Sequence, residues 1–321
     1  MKRSAVTGTL ALVVTLLAAT SSAQELRPNE WLDRMASVVD SLSFEGTVIR
    51  RRNGESEALK VVRKVVDGVV QERLVSQEGN GLEIIRNGTE VYCILPDKRS
   101  VLVEYWDDDI TLFSTLPDSN LQFGSAYDLA IVREERVAGR RAMLLAVRPH
   151  DSDRYGHRIW LDRSTAFPLR TELVGADGAL LEQLKFADIT FDPDIAPEAL
   201  KPSFDLNSFT WYPEPVKVEP EAVESAWVVS DLPTGFRRVS ASQEMLDGTR
   251  PVEHHIFSDG LATVSVFIAE AAAADPRLDS QGAIGGSSNT HSVESEGFLI
   301  TAIGEVPPAT VRRIAASMRR R

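Results

Sequence analysis

Cysteine is all but missing: Cys93 stands alone in 321 residues, which excludes a disulfide framework and any cysteine-based zinc module. Histidine is scarce, at 5 residues, and leaves few ligands for metal chemistry. Cationic side chains are outnumbered, 35 Lys and Arg against 47 Asp and Glu, for a net charge of −12. A chain this acidic is a poor bulk partner for nucleic acid or a bare anionic membrane. Beyond the first two dozen residues no apolar run approaches the ~20 residues a membrane-spanning helix needs. The G-x-S-x-G elbow, the P-loop and H-E-x-x-H are absent, and no nucleophile–base pair is visible, so nothing points to an enzyme. Gly79-x-Gly81 lacks a third glycine and leads into a strand pattern, not a helix. What the chain does have is 43% apolar residues, too many for wholesale disorder, and enough length for two domains.

The start has the form of an export signal. Met1-Lys2-Arg3 precedes an apolar core from Leu10 to Ala19, and Ser21 and Ala23 fit a small-residue cleavage site before Gln24. Residues 1–23 are therefore expected to be removed and the remainder to be exported as a freely soluble chain. In the oxidising compartment this implies, Cys93 has no partner; its run Val91–Leu95 predicts a buried strand position that hides the thiol. Asn29 is placed to cap a helix running to Leu42, with Trp31, Leu32, Met35, Val38, Val39 and Leu42 on one face. The pattern then changes to period two. Runs at 59–66 and 69–75 flank Asp67-Gly68, and runs at 82–86 and 90–95 flank Asn87-Gly88. Both dipeptides suit type I′ hairpin turns, which need positive φ twice. Further strands are predicted at 100–105, 142–147, 158–162, 169–174 and 179–191. Successive hairpins mean a meandering antiparallel sheet. Because Val61, Val62, Val65 and Val66 face both ways, the sheet must be covered on two sides or curve around a cavity.

From 203 to 226 prolines and glutamates break the rhythm, as in an extended linker. The domains are thus expected at 24–202 and 227–321. The second holds a hairpin around Asp259-Gly260, with Ala262, Val264, Val266 and Ile268 on one face. It continues with a flexible loop at 282–289, a strand at 299–304, and a last helix opened by Pro308, whose basic end Arg319–Arg321 suits the negative pole. Metal-like groupings are better read otherwise. Neighbouring His254 and His255 point to opposite faces of a strand. His150, Asp151, Asp153 and His157 read as a polar loop paired with arginines, and Asp107-Asp108-Asp109 as a solvated turn. Arg50-Arg51-Arg52 is the sharpest basic feature; Arg50 and Arg52 share a face that could meet a phosphate or carboxylate.

Several segments taken in order carry a resemblance. They are Val137-Ala138-Gly139-Arg140, the run from Arg148 through Arg154-Tyr155-Gly156, and Trp160-Leu161-Asp162. In the second unit they are Pro233-x-Gly235-Phe236, Ser258-Asp259-Gly260-Leu261-Ala262, Val264-Ser265-Val266-Phe267 and Gly304-Glu305-Val306-Pro307. Together the chain resembles the RseB/MucB family of periplasmic negative regulators of the sigma-E (AlgU-type) envelope-stress response. The resemblance implies an α+β protein. Its large N-terminal domain would be a half-open antiparallel β-barrel covered by helices, similar to the lipoprotein carriers LolA and LolB, beside a smaller C-terminal α+β domain. It implies a regulator without catalytic activity or cofactor that binds the periplasmic domain of a membrane anti-sigma factor of the RseA/MucA type. Binding would shield that partner from site-one proteolysis, and lipopolysaccharide or another acyl-chain lipid would release it; a homo-oligomer is compatible. The alternative is a periplasmic lipid or lipoprotein carrier or chaperone. On this reading Asp259-Gly260 serves a tight turn and Arg154-Tyr155 anchors a loop. The partner peptide is expected on the small domain's hairpin and the domain interface, at Phe257, Asp259, Gly260, Leu261 and Val264. Lipid is expected at Ile85, Ile94, Leu102 and Trp160, with Arg50 and Arg52.

Overall fold

The computed structural model describes residues 26–105, 112, 116–117, 126–213, 221–246, 250–271, 282–285 and 287–321. The expected export signal and Asp107-Asp108-Asp109 lie outside them. The chain opens with helix α1 (Pro28–Ser41) and runs through β1 (Phe44–Arg52), β2 (Glu55–Val66), β3 (Val69–Ser76), β4 (Glu83–Asn87), β5 (Glu90–Leu95) and β6 (Ser100–Tyr105). A second series follows: β7 (Tyr127–Val137), β8 (Arg140–Pro149), β9 (Gly156–Asp162), β10 (Pro168–Val174), β11 (Leu180–Phe191) and β12 (Thr210–Pro213). All twelve form one sheet in the order β12-β6-β5-β4-β3-β2-β1-β11-β10-β9-β8-β7. Two meanders are thus joined by pairing of β1 with β11, and the ends β12 and β7 do not meet. This is the half-open barrel in outline.

Local chemistry explains most of the turns. Asp67 and Gly68 take φ of 52° and 80° between β2 and β3, as a type I′ turn demands. The neighbouring hairpin is built differently: Asn87 stays in β4 opposite Glu90, and the turn is Gly88-Thr89, with positive φ at Gly88 and neither at Asn87 nor at Thr89. Pairs the sequence reading passed over, Asn53-Gly54 and Ala138-Gly139, also take positive φ at both positions. Helix α1 starts two residues early, because Pro28 is pre-set for a first helical turn. Asn29 lies inside the helix and Arg27 is the cap, its N–H donating to Glu30 Oε2 at 2.7 Å.

Helix α1 covers one face of the sheet, called inner here. Its Trp31, Leu32, Met35 and Val39 join Phe44, Val48, Leu59, Val61, Leu145, Ile159 and Phe186 in the main core. Phe44, Phe167 and Phe186 meet edge to face at the centre. On the outer face Ile85, Ile94 and Val101 form a separate cluster closed by Leu206 and Phe209. The inner face is therefore covered by the helix, and the outer face, at β4 to β6, by the chain that follows β11. Cys93 sits half-buried on β5, and burial pushes its thiol up to about 11, so it stays protonated and inert.

The small domain comprises β13 (Glu221–Ala222), β14 (Trp227–Val229), β15 (Arg237–Leu246), β16 (Arg250–Ser258), β17 (Thr263–Glu270), β18 (Gly282–Gly285), β19 (Ser288–Ser295), β20 (Phe298–Gly304), α2 (Pro308–Ser317) and β21 (Met318–Arg320). Its main sheet has the order β13-β15-β16-β17-β20-β19-β18, while β14 pairs with β21. Val311, Ile314 and Ala315 of α2 pack with Trp227, Phe257, Val264, Val266 and Ile300. Three expectations are corrected here. The segment 282–289 contributes two paired strands, the final arginines leave the helix as β21, and the linker is tied at both ends, through β12 to β6 and through β13 to β15.

Gly46 marks a tight spot, at a bulge between β1 and β11. A Cβ there would lie 2.4 Å from the backbone oxygen of Asp188. Gly46→Ala is expected to destabilise the protein by roughly 1–3 kcal/mol, since neighbouring backbone must shift. A lowered urea midpoint at unchanged slope would show it.

The candidate site: a charged domain interface and an outer groove

The loop between β8 and β9 leans on the small domain. Its Arg154 side chain is fully buried. Arg154 Nη1 donates to Asp259 Oδ2 at 2.6 Å, Nη2 donates to the carbonyl of Thr234, and Nε donates to Asp151 Oδ1 at 3.1 Å. The guanidinium lies 5.3 Å from the Tyr127 ring centre and 5.2 Å from that of Phe236. Tyr127 Oη donates to Asp259 Oδ2 at 2.9 Å. Burial first, and then the Asp259 carboxylate, push the Tyr127 phenol far above its usual range, so it remains a donor. The other carboxylate oxygen of Asp259 accepts N–H bonds from Leu261 and Ala262 at 2.9 and 2.8 Å, which shapes the hairpin end. That end is a four-residue loop, with positive φ at Gly260 and not at Asp259. Gly235 takes φ of +88° directly against Arg154.

Further bonds flank this pair. Thr310 Oγ1 donates to the carbonyl of Asp153 at 2.8 Å, and Arg313 bridges Asp153 and Asp231 at 2.9 and 2.6 Å. Asn289 Nδ2 donates to Tyr155 Oη at 3.1 Å and to the carbonyl of Val306 at 2.9 Å. Four of the seven segments that carried the family resemblance, those holding Arg154, Gly235, Asp259 and Glu305, thus converge on the contact between domains. The sequence reading assigned Arg154-Tyr155 to loop anchoring; the anchor is the other domain.

The expected partner-binding residues are placed as follows. Phe257 and Val264 are buried in the small domain's core. Asp259 is committed to Arg154, and Leu261, next to Gly260, packs on Ala126, Tyr127 and Val147 of the large domain. The hairpin tip is therefore spent on docking the domains. The six residues expected to meet lipid are divided. Strand register puts Ile85, Ile94 and Trp160 on the outer face, and Leu102, Arg50 and Arg52 on the inner one. Ile85 and Ile94 lie beneath Leu206 and Phe209, Leu102 is half-buried, and Arg50 and Arg52 are ion-paired with Glu57 and Glu182.

Of that set Trp160 alone lines the large groove, about 790 Å³, on the outer face of β7 to β10. Leu144 and Ala146 share its floor, and Arg148, Arg158 and Arg170 stand along it. The Arg170 guanidinium lies 4.2 Å over the Trp160 ring, whose Nε1 donates to Glu135 at 2.6 Å. Buried Glu172 accepts from Arg158, Arg170 and Gln183, which orients the arginines. These arginines alternate with apolar residues on their strands, a pattern that shows which face they share and not that the face is concave. A smaller cavity, about 230 Å³, lies between the domains and is lined by Tyr127, Tyr155, His157, Leu173, Leu261 and Glu305. Burial alone lowers His157 to about 4, so it faces that cavity neutral. His150 and Asp153 are used in pairs with Asp128 and Arg313.

An incomplete antiparallel barrel with a helix inside, docked to a small sheet-and-helix domain, is the two-domain architecture of a class of sigma-factor regulatory proteins. The chain belongs to the MucB/RseB family: the family's N-terminal domain matches residues 27–204 and its C-terminal domain residues 221–319. Sigma factor AlgU regulatory protein MucB of Pseudomonas aeruginosa is 32% identical over 318 residues, covering 98% of this chain and 97% of that protein. Sigma-E factor regulatory protein RseB of Escherichia coli K12 is 26% identical over 292 residues, 90% of this chain and 89% of that one. The crystal structure of MucB in complex with MucA(peri) superposes with a TM-score of 0.68 at 30% identity, covering 92% of this chain and 99% of that chain.

Two outcomes follow from this geometry. Arg154→Ala leaves Asp259 buried without its cation and is expected to cost about 3–5 kcal/mol; a double-mutant cycle with Asp259→Asn in urea unfolding measures the coupling. His157 takes a proton near pH 6.5 when unfolded and only at about 4 when folded. Its contribution is therefore intact above pH 6.5 and lost as pH falls toward 4, on the order of 3 kcal/mol. His157→Gln should flatten that part of the stability profile.

Proposed function

We propose that this chain is a periplasmic regulator that binds the periplasmic part of a membrane anti-sigma factor, shields it from site-one proteolysis and so keeps a sigma-E-type factor inactive. The observation that carries the reading is end-to-end correspondence, both domains in order, with a MucB structure that contains MucA(peri). The docked interface supports it, because a fixed pair of domains presents one composite surface to a peptide. The regulator has no catalytic role on this reading, and residues 1–23 serve export.

Release by lipopolysaccharide or a related acyl lipid belongs to the same proposal. The outer groove supports it better than the residues first expected, since Trp160, Leu144 and Ala146 offer apolar floor beside arginines that suit an anionic head group. Arg50 and Arg52, ion-paired on the inner face, lie away from that groove.

The test is protease protection. The mature chain, the anti-sigma factor's periplasmic segment and its site-one protease are combined with and without lipopolysaccharide. Protection that lipid reverses is expected, together with micromolar or tighter binding in a pull-down. Absence of binding at micromolar concentration would overturn the reading. Removal of residues 227–321 should abolish protection; a lipid carrier would keep its transport.

A further inference from the structure

Beside the Arg154–Asp259 pair and the bonds that flank it, a further polar contact joins the domains and has too few protons for its oxygens. Glu182, on β11 of the large domain, accepts from Arg52 Nε at 2.9 Å, from the Ser287 N–H at 2.8 Å and from Ser287 Oγ at 2.9 Å. The same Ser287 Oγ is also in hydrogen-bond contact with Glu305 Oε1. A serine hydroxyl carries one proton. Glu182, facing a guanidinium and a backbone N–H, is the natural carboxylate and takes that proton. The contact between Ser287 and Glu305 then needs a proton of its own, and Glu305 is the group that can supply it.

We propose that the domains are clamped by a shared-proton chain in which protonated Glu305 donates to Ser287 Oγ and Ser287 Oγ donates to ionised Glu182. The clamp closes in acid and loosens as the medium becomes alkaline. The surroundings favour this assignment. Glu305 lies between β20 and α2 and borders the 230 Å³ cavity between the domains and another of about 130 Å³ that Arg50, Glu172, Leu173 and Glu182 also line. It is faced by Glu182 of β11, Arg50 and Arg52 of β1, His157 of β9, and the phenols of Tyr127 and Tyr155. Arg50 is ion-paired with Glu57 and Arg52 with Glu182, while His157 is neutral above about pH 4. Burial first, and the Glu182 charge after it, push the Glu305 carboxyl up; Ser287 and Arg52 pull it down, and the net direction is up. Once Glu305 ionises, two carboxylates share one serine proton, and like charges at that separation repel. A raised carboxyl contributes stability that is complete below its unfolded pKa and lost as pH rises through its folded value. His157 acts in the opposite sense, its contribution being lost as pH falls from 6.5 toward 4.

The inference concerns domain docking alone, goes beyond the regulator reading and stands without it. The test uses the full mature chain with carbon-13 in its glutamate carboxyls. The Glu305 resonance, assigned through the backbone and by its loss in Glu305→Gln, is expected to titrate clearly above the ordinary value of about 4.3. Titration at or below that value overturns the proposal and needs no folded variant. Glu305→Gln keeps a donor toward Ser287 and removes the ionisation. From pH 5 to pH 9 the wild type should lose several degrees of thermal stability relative to Glu305→Gln, and its radius of gyration should rise while the variant's stays level. Parallel profiles for the two proteins would also sink the idea. His157 titrates alike in both and cancels from the difference.

Discussion

The arrangement of this molecule depends on one desolvated charge pair. Arg154, with no solvent exposure, is enclosed by Tyr127 and Phe236 and directs its nitrogens to Asp259, Thr234 and Asp151. Removing two ions from water is expensive, and an apolar pair of the same volume would give at least as much stability. What the pair provides is direction. A planar guanidinium held on three sides accepts one arrangement of its neighbours, so the small domain docks in one orientation. Asp259 serves twice, as counter-ion across the interface and as the acceptor that shapes its own hairpin, which couples folding of that loop to docking.

Seen from this interface, both faces of the large sheet acquire distinct roles. The inner face is filled by α1 and three phenylalanines and is core in the ordinary sense. The outer face is covered at β4 to β6 by the segment carrying Leu206 and Phe209, and left concave at β7 to β10, where arginines border a Trp160 floor. Membership of the MucB/RseB family fits a protein whose business is holding surfaces in register.

Much of the fold was legible in the residues. Asp67-Gly68 announced its turn because both positions need positive φ, and the Trp31–Val39 spacing announced α1 because only one face of it is apolar. Asn87-Gly88 misled because Asn87 satisfies itself within the ladder, and the turn moves one residue on. The candidate site was legible in a different sense. Arg154, Asp259 and Gly235 were singled out as part of a resemblance, yet nothing local says that residues more than a hundred positions apart meet. Alternation reports which side of a strand a residue takes and is silent about what lies opposite. For that reason Ile85, Leu102 and Trp160, all apolar strand residues, were grouped although the sheet separates them.

The two ends of the interdomain segment are zipped down, Thr210–Pro213 along β6 and Glu221–Ala222 along β15. Between them lie seven residues, 214–220, and seven residues drawn out fully reach roughly 25 Å. The covalent leash is therefore short even if every polar contact between the domains were released. Undocking would thus leave the edge strands β12 and β13 within that reach of one another.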